Sequence, residues 1–231
     1  AIEPEIKDLI NFLRKAGCNI KWSGKRTITI VGVKKLKKIN YNIMFDRIEA
    51  VTYMIASAIT EGNLKIKNIN SKIIKTEIDV LRKVGADIKF NDNQLRIKGG
   101  KKIKNIKIST SPYPGFPTDL QAQLMVLLCK SSGRSEITEK IFENRFMHAS
   151  ELNRMGAKIK IIGNKAIIDG GVNFKPAEVI ATDLRASVSL ILAGLISNGK
   201  SVINRIYHLD RGYENLEKKL RKVGAKIKRL A

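Results

Sequence analysis

The sequence predicts an α/β fold assembled from repeated modules of about 68 residues, and three observations carry that prediction. Four segments share one pattern: Leu13-Arg14-Lys15-Ala16-Gly17-Cys18-Asn19-Ile20, Leu81-Arg82-Lys83-Val84-Gly85-Ala86-Asp87-Ile88, Leu152-Asn153-Arg154-Met155-Gly156-Ala157-Lys158-Ile159 and Leu220-Arg221-Lys222-Val223-Gly224-Ala225-Lys226-Ile227. Their glycines lie 68, 71 and 68 residues apart. Apolar residues keep helical spacing before each glycine and alternate after it, so the period switches from 3.6 to 2 at one residue type. A second landmark, Phe45-Asp46-Arg47, Thr118-Asp119-Leu120 and Thr182-Asp183-Leu184, precedes the later glycines by 39, 37 and 41 residues.

Taken in order, Ile6, Leu9, Ile10 and Leu13 mark the first helix, and Tyr213, Leu216, Leu220 and Val223 mark the last. Each repeat glycine reads as the C′ residue that ends a helix in the left-handed conformation and turns the chain into a strand. Helical stretches that open at the aspartates close near Gly62, Gly133 and Gly199. Lysine alternates with isoleucine in Leu64-Lys65-Ile66-Lys67, in Ile103 to Ile108 and in Lys158-Ile159-Lys160-Ile161, which puts isoleucine inward and lysine into water. Further short strands fall at Gln94 to Lys98 and Ala166 to Ile168. Each module therefore reads helix, strand, helix, strand.

The module count is uneven. The first glycine lacks an opening aspartate about 39 residues earlier, so the expectation is a C-terminal part of a longer polypeptide. Residues 1–43 are expected to be the last half-module of another, N-terminal domain, and residues 44–231 a three-module domain, with lysine-rich Lys34 to Asn40 crossing between them.

Composition restricts the function classes. The 231 residues carry 44 Lys+Arg against 21 Asp+Glu, a formal charge of +23, which excludes an acidic disordered tail. Hydrophobic residues at 43% and charged residues at 28% are a globular balance, and a chain of this length buries roughly 70–75% of its unfolded surface. Cys18 and Cys129 show no CxxC spacing, so neither a disulfide framework nor a zinc site is expected. The longest uncharged stretch, Ala186 to Gly199, falls short of the ~20 residues of a membrane helix, and a soluble cytoplasmic protein is expected. The lysines read as a solvated sheet face. A polyanion surface, of a nucleic-acid-binding or RNA 3′-phosphate cyclase-like repeat protein, is the alternative, weakened by aromatics of only 6%.

Candidate chemistry sits at the module starts. An aspartate opening a helix is an N-cap first, and Asp46 is read so. For Asp119 and Asp183 capping and a functional role stand side by side, because equivalent helix starts gathered at one end of a domain favour bound anions. Three of the chain's five prolines lie in Ser111-Pro112-Tyr113-Pro114-Gly115-Phe116-Pro117, a stiff arm before Asp119. Arg145, Arg185 and Arg211 stand where a solvated face would use the lysine this sequence prefers, and a guanidinium grips carboxylate or phosphate bidentately. Any one alone reads first as a structural ion pair, and three at the same kind of module position point to a ligand. His148 and His208 read as ordinary histidines, and Cys129 as a buried helix end.

At these residues the sequence resembles the UDP-N-acetylglucosamine 1-carboxyvinyltransferase family. The resemblance rests on Pro114-Gly115-Phe116-Pro117-Thr118-Asp119-Leu120-Gln121-Ala122-Gln123, Phe142-Glu143-Asn144-Arg145-Phe146-Met147-His148, Ala181-Thr182-Asp183-Leu184-Arg185-Ala186-Ser187 and Ile206-Tyr207-His208-Leu209-Asp210-Arg211-Gly212-Tyr213-Glu214. It covers essentially the whole chain but little over half of a family member. The sister family acting on shikimate 3-phosphate shares the implied fold but not these blocks.

The resemblance implies inside-out α/β barrels of three modules, and a transferase that moves the enolpyruvyl group of phosphoenolpyruvate to the 3-hydroxyl of UDP-N-acetylglucosamine for peptidoglycan synthesis. No metal or organic cofactor is implied. Asp119 matches a sugar contact and candidate base, Ile141 a second contact to the UDP-sugar, and Asp183 another active-site carboxylate. Arg145, Arg185 and Arg211 match arginines around phosphoenolpyruvate and the mobile loop. The family's Lys-Asn pair and loop proton donor have no match here, neither Cys18 nor Cys129 corresponds to the donor, and the chain by itself is expected to be inactive.

Overall fold

A computed structural model describes residues 2–91 and 93–230. Its order is α1 (Pro4–Lys15), β1 (Asn19–Trp22), β2 (Ile28–Val31), α2 (Arg47–Ile59), β3 (Asn63–Lys67), α3 (Lys75–Lys83), β4 (Asp87–Asn91), β5 (Gln94–Lys98), β6 (Lys107–Ser109), α4 (Gln121–Cys129), β7 (Ser135–Thr138), α5 (His148–Arg154), β8 (Lys158–Ile162), β9 (Lys165–Asp169), β10 (Glu178–Ile180), α6 (Leu184–Leu195), β11 (Val202–Asn204) and α7 (Leu216–Lys222).

All four repeat glycines adopt positive φ, from +94° to +109°. In each copy the glycine N–H donates to the carbonyl three residues back, and the next N–H donates to the repeat leucine's carbonyl five back: Cys18 to Leu13, Ala86 to Leu81, Ala157 to Leu152 and Ala225 to Leu220, at 2.9–3.0 Å. These are paired 5→2 and 6→1 Schellman closures, which satisfy the last orphan carbonyls of each helix. The residue after the leucine ties the turn to the following strand. Arg14, Arg82 and Asn153 each donate from the side chain to the carbonyl six residues ahead, on Ile20, Ile88 and Ile159, at 2.6, 2.6 and 2.9 Å.

The helices that open near the landmark aspartates, α2, α4 and α6, form the interior. All nine residues of α4 are buried, which is the position of a helix that is apolar all round. It packs between α2 and α6, while α2 also meets β3 and β5, α4 meets β7 and β9, and α6 meets β11. Helices inside and sheets outside is the inside-out arrangement. Full burial of a Leu or Met side chain stabilises by about 1.5–3 kcal/mol, and Leu124, Met125, Leu127 and Leu128 of α4 are all at 0% exposure.

The sheets repeat as well. β3-β5-β4 and β6-β7-β9-β8 both place the strand after the post-glycine strand between the other two, antiparallel to each. Among the described residues the third sheet holds only the parallel pair β10-β11. Two strand expectations fail. Residues 226–230 form no strand, because among the described residues no hairpin partner like those of β1, β4 and β8 lies beside them. In Ile103 to Ile108 only an isolated bridge from Ile103 to Ser131 forms before β6 begins at Lys107. The described sheets do not join into one closed barrel. A groove of about 810 Å³ runs between β11 and residues 226–230.

Residues 2–45 carry their own small hairpin, β1 with β2. Its buried Ile10, Ala16 and Ile20 lie outside the main apolar cluster that begins at Ile48. Buried Arg47 joins the parts, donating to Glu5 at 2.7 Å and to buried Glu77 at 3.3 Å. No helix among the described residues is long and apolar enough to cross a membrane.

Candidate active site

The starts of the three inner helices differ in what their aspartates do. Asp46 accepts from the N–H groups of Ile48 and Glu49 at 2.8 and 2.9 Å, and Asp183 from those of Arg185 and Ala186 at 2.7 and 2.9 Å, so both are N-caps. Asp119 does not cap. It lies in a 3₁₀ turn, Thr118–Leu120, that precedes α4, and this frees its carboxylate.

Two arginines take that carboxylate. Arg145 Nη2 donates to Oδ1 at 2.6 Å, and Arg185 Nη2 donates to Oδ2 at 2.9 Å. The three residues come from three places along the chain: the proline-rich arm, the loop after β7 and the first turn of α6. Burial alone would raise the Asp119 carboxyl, but the charges and hydrogen bonds of Arg185 and Arg145 outweigh it and hold the group below the ordinary carboxylate value. Burial opposes charge on Arg185 too, and Asp119 more than compensates, so the guanidinium is held above its ordinary value. Asp119 is thus ionised at neutral pH, and with 37% of its side chain exposed it faces solvent.

Beneath this layer lies a neutral one. The hydroxyl of Tyr213, itself 1% exposed, meets Thr52 Oγ1 of α2 at 2.9 Å, Gln123 Nε2 of α4 at 3.3 Å and Arg185 Nη1 of α6 at 3.4 Å. Thr52 donates its proton to the carbonyl of Ile48 at 2.8 Å, so Tyr213 is the donor in its bond to Thr52. One phenol therefore ties together the N-terminal halves of all three inner helices. The helical spacing puts Tyr213 at a core position of the last helix; in the structure it precedes α7, and the turn Ile206–Arg211 carries it inward.

The arm is built to hold its shape. The Ser111 N–H donates to the carbonyl of Phe116 at 3.0 Å, and the Gly115 N–H to that of Pro112 at 2.8 Å. A Cβ on Gly115 would force the Ser111 hydroxyl to turn aside and would lie 3.1 Å from the carbonyl oxygen of Pro112. The Arg47 guanidinium lies 5.6 Å from the Tyr113 ring centroid.

Ile141 lies on the loop that carries Arg145, 37% exposed. Both line a cleft of about 470 Å³, together with Phe142, whose ring centroid is 4.7 Å from the Arg145 guanidinium carbon. The 810 Å³ groove is larger but holds none of these charges, so convergence of charge rather than volume marks the site. Arg211 is not in the cluster: it is exposed at the end of its turn, while its neighbour Asp210 receives two hydrogen bonds from Arg229 at 2.6 and 3.0 Å. Asp183 is present only through its cap and its proximity to His148. His148 is buried, and burial pushes its imidazole down to about 4. Cys129 is buried as expected, its thiol pushed up to about 12 by desolvation.

Sequence reasoning missed Thr118, Gln123, Glu139 and Arg47. The polar pair Gln121 and Gln123 in an otherwise apolar helix was the one signal that pointed this way. Among the described residues no cluster of His, Cys, Asp and Glu is arranged to hold a metal ion.

Comparison with known proteins gives the family. The chain is 69% identical over 230 residues to a UDP-N-acetylglucosamine 1-carboxyvinyltransferase of Pelagibacter ubique (strain HTCC1062), and 53% identical to one of Geotalea daltonii (strain DSM 22248 / JCM 15807 / FRC-32). Each match takes in all of this chain and 55% of the relative, so the chain spans about half the length of these curated relatives. Among solved structures, the enolpyruvyl transferase NikO from Streptomyces tendae superposes with a TM-score of 0.89 at 26% identity, over 98% of this chain and 55% of that one. An EPSP synthase from Acinetobacter baumannii, at 21% identity, superposes at 0.76 over 96% of this chain and 55% of that one, a likeness of fold. A family match runs through residues 1–220, and the chain belongs to the EPSP synthase (3-phosphoshikimate 1-carboxyvinyltransferase) family.

Proposed function

We propose that this chain is the C-terminal part of a cytoplasmic transferase that moves the enolpyruvyl group of phosphoenolpyruvate to the 3-hydroxyl of UDP-N-acetylglucosamine, the first committed step of peptidoglycan precursor synthesis. The observation that carries the reading is the ionised, solvent-facing Asp119 held between Arg145 and Arg185. The names of the relatives support the choice of sugar nucleotide.

In this reaction the sugar hydroxyl attacks C2 of phosphoenolpyruvate and loses its proton while C3 gains one; C3 then gives up a proton as the C2–O bond to phosphate breaks, which restores the C2=C3 double bond in the product. Asp119 accepts the hydroxyl's hydrogen bond and takes its proton. A carboxylate held by two guanidinium groups is a weak base. An incoming phosphate or carboxylate competes for Arg145 and Arg185, and as it draws them off, the basicity of Asp119 rises where the hydroxyl must be deprotonated. The same arginines then stabilise charge on the substrate in a site closed to water. Exposed Ile141 and Phe142 offer apolar contact to the sugar nucleotide at the cleft they line. Asp183 shapes the site by capping α6, and Arg211 joins it only if its turn moves.

The domain reading is part of the proposal: residues 1–43 belong to a second domain, and 44–231 form the three-module one. The separate small core at Ile10, Ala16 and Ile20 supports it. The rest of the polypeptide is the proposed partner, and the unfilled groove beside β11 supports a seat for it.

Phosphate release tests the reading. A polypeptide carrying this sequence over the full length of its relatives should turn over with phosphoenolpyruvate and UDP-N-acetylglucosamine, and residues 1–231 alone should not. Turnover with shikimate 3-phosphate instead of the UDP-sugar would overturn the substrate assignment, and robust turnover by residues 1–231 would overturn the need for a second part.

A further inference from the structure

Glu139 follows β7 and is 2% exposed, yet no salt bridge reaches it among the described residues. Its carboxylate is instead surrounded by four neutral donors. Oε1 accepts from Thr110 Oγ1 at 2.7 Å and from the N–H groups of Ile141 and Phe142 at 2.8 and 3.2 Å, while Oε2 accepts from Thr118 Oγ1 at 2.8 Å. Its backbone is fixed to Asn164 at both ends, N–H to the Asn164 carbonyl at 2.8 Å and carbonyl to the Asn164 amide at 3.0 Å. A buried carboxylate without a cation is costly, and an apolar residue would fill the same space more cheaply. Its presence calls for a reason beyond packing.

The donor and acceptor bookkeeping supplies one. The Thr118 hydroxyl has a single proton, which it gives to Glu139 Oε2, and this leaves its lone pairs for another donor. That donor is Arg145, whose Nη1 reaches Thr118 Oγ1 at 2.8 Å while Nη2 reaches Asp119 at 2.6 Å. The guanidinium is thus gripped at two nitrogens by two acceptors. Glu139 also holds the backbone N–H of Phe142, whose ring lies against Arg145.

We infer that Glu139 is a positioning residue: by fixing the direction of the Thr118 hydroxyl and the seat of Phe142, it aims Arg145 at Asp119. This deepens the proposed reading of Asp119 and Arg145 and takes its catalytic meaning from it. The aiming itself is a property of the unliganded chain.

The near-isosteric E139Q keeps the shape and reverses the bonding. An amide NH₂ placed at either carboxylate oxygen confronts a group that already donates: at Oε2 the Thr118 proton loses its acceptor and the hydroxyl must turn, and at Oε1 the N–H groups of Ile141 and Phe142 lose theirs, which frees the seat of Phe142. The readout is guanidinium rotation, followed by NMR of the ¹⁵N-labelled chain at low temperature and neutral pH, with Arg145 assigned from R145K. In the unsubstituted chain the Arg145 Nη signals should be resolved by slow rotation. E139Q should abolish that resolution and leave the Arg185 signals resolved. T118V, which removes the relaying hydroxyl at nearly constant shape, should do the same and decides the matter if E139Q fails to fold. Arg145 signals that stay resolved in E139Q, or in T118V where E139Q is unfolded, would overturn the inference, even with a lowered melting temperature. No substrate enters the measurement, so failure of the enolpyruvyl reading leaves this test standing.

Discussion

The Arg185 guanidinium lies 2.9 Å from the Asp119 carboxylate across 66 residues of sequence, joining the start of the second inner helix to that of the third. With Arg145 on the other carboxylate oxygen, Asp119 becomes the one landmark aspartate of the three whose side chain is turned away from its own backbone. In a phosphate-release assay of a full-length polypeptide carrying this sequence, Asp119→Asn should lower turnover by about 100- to 10,000-fold, the span of general acid–base contributions. Asp46→Asn preserves a good N-cap and should leave turnover nearly unchanged. Equal losses in the two variants would remove the special role of Asp119.

Tyr213→Phe deletes the hydroxyl shared by α2, α4 and α6 while keeping the ring. Thr52 and Gln123 are buried, and the loss of a shared hydrogen-bond partner typically costs about 1–2 kcal/mol. A chain of this size should melt a few degrees lower, and Arg185 loses one of its contacts. A melting curve that superposes on the unsubstituted one would show that the phenol merely fills space.

Acid should destabilise the protein in two steps. Burial lowers the His148 imidazole from 6.5 to about 4, so between those values the unfolded chain binds a proton that the folded one does not. Stability from this group is complete above pH 6.5 and is lost as pH falls toward 4, by roughly 3 kcal/mol at most. Asp119, lowered from 3.8, adds a further loss below that value. Glu77, raised chiefly by burial against the pull of Arg47, works in the opposite sense and favours the folded state as pH falls through the region above 4.5. Denaturant titrations at a series of pH values should show a slope between pH 6.5 and 4 that flattens in His148→Asn. A slope unchanged by the substitution would assign the effect elsewhere.

The repeat glycines allow strain to be separated from collision. Gly224→Ala meets open space and should cost about 1 kcal/mol for a left-handed backbone alone. Gly85→Ala has the same backbone strain, at φ +109°, and in addition sets its Cβ 2.7 Å from the carbonyl oxygen of Lys102. Chemical denaturation should find it the more destabilising of the two. The reverse order would mean that the loop at Lys102 yields without cost.

What the sequence determined by itself was local and periodic. Helix ends at Gly17, Gly85, Gly156 and Gly224, strands over 63–67, 94–98 and 158–162, and capping by Asp46 were legible because each depends on residues within one turn of the chain. The blocks around Asp119, Arg145 and Asp183 pointed to the family. Tertiary structure alone decided that Asp119 leaves the capping position while Asp183 keeps it, that Arg145 and Arg185 meet on one carboxylate while Arg211 stays outside, and that Tyr213 and Glu139 organise the site from below. These are relations between hydrogen-bonding groups tens of residues apart. Their partners are chosen by how three buried helices pack, and no local propensity or spacing along the chain encodes which donor finally faces which acceptor.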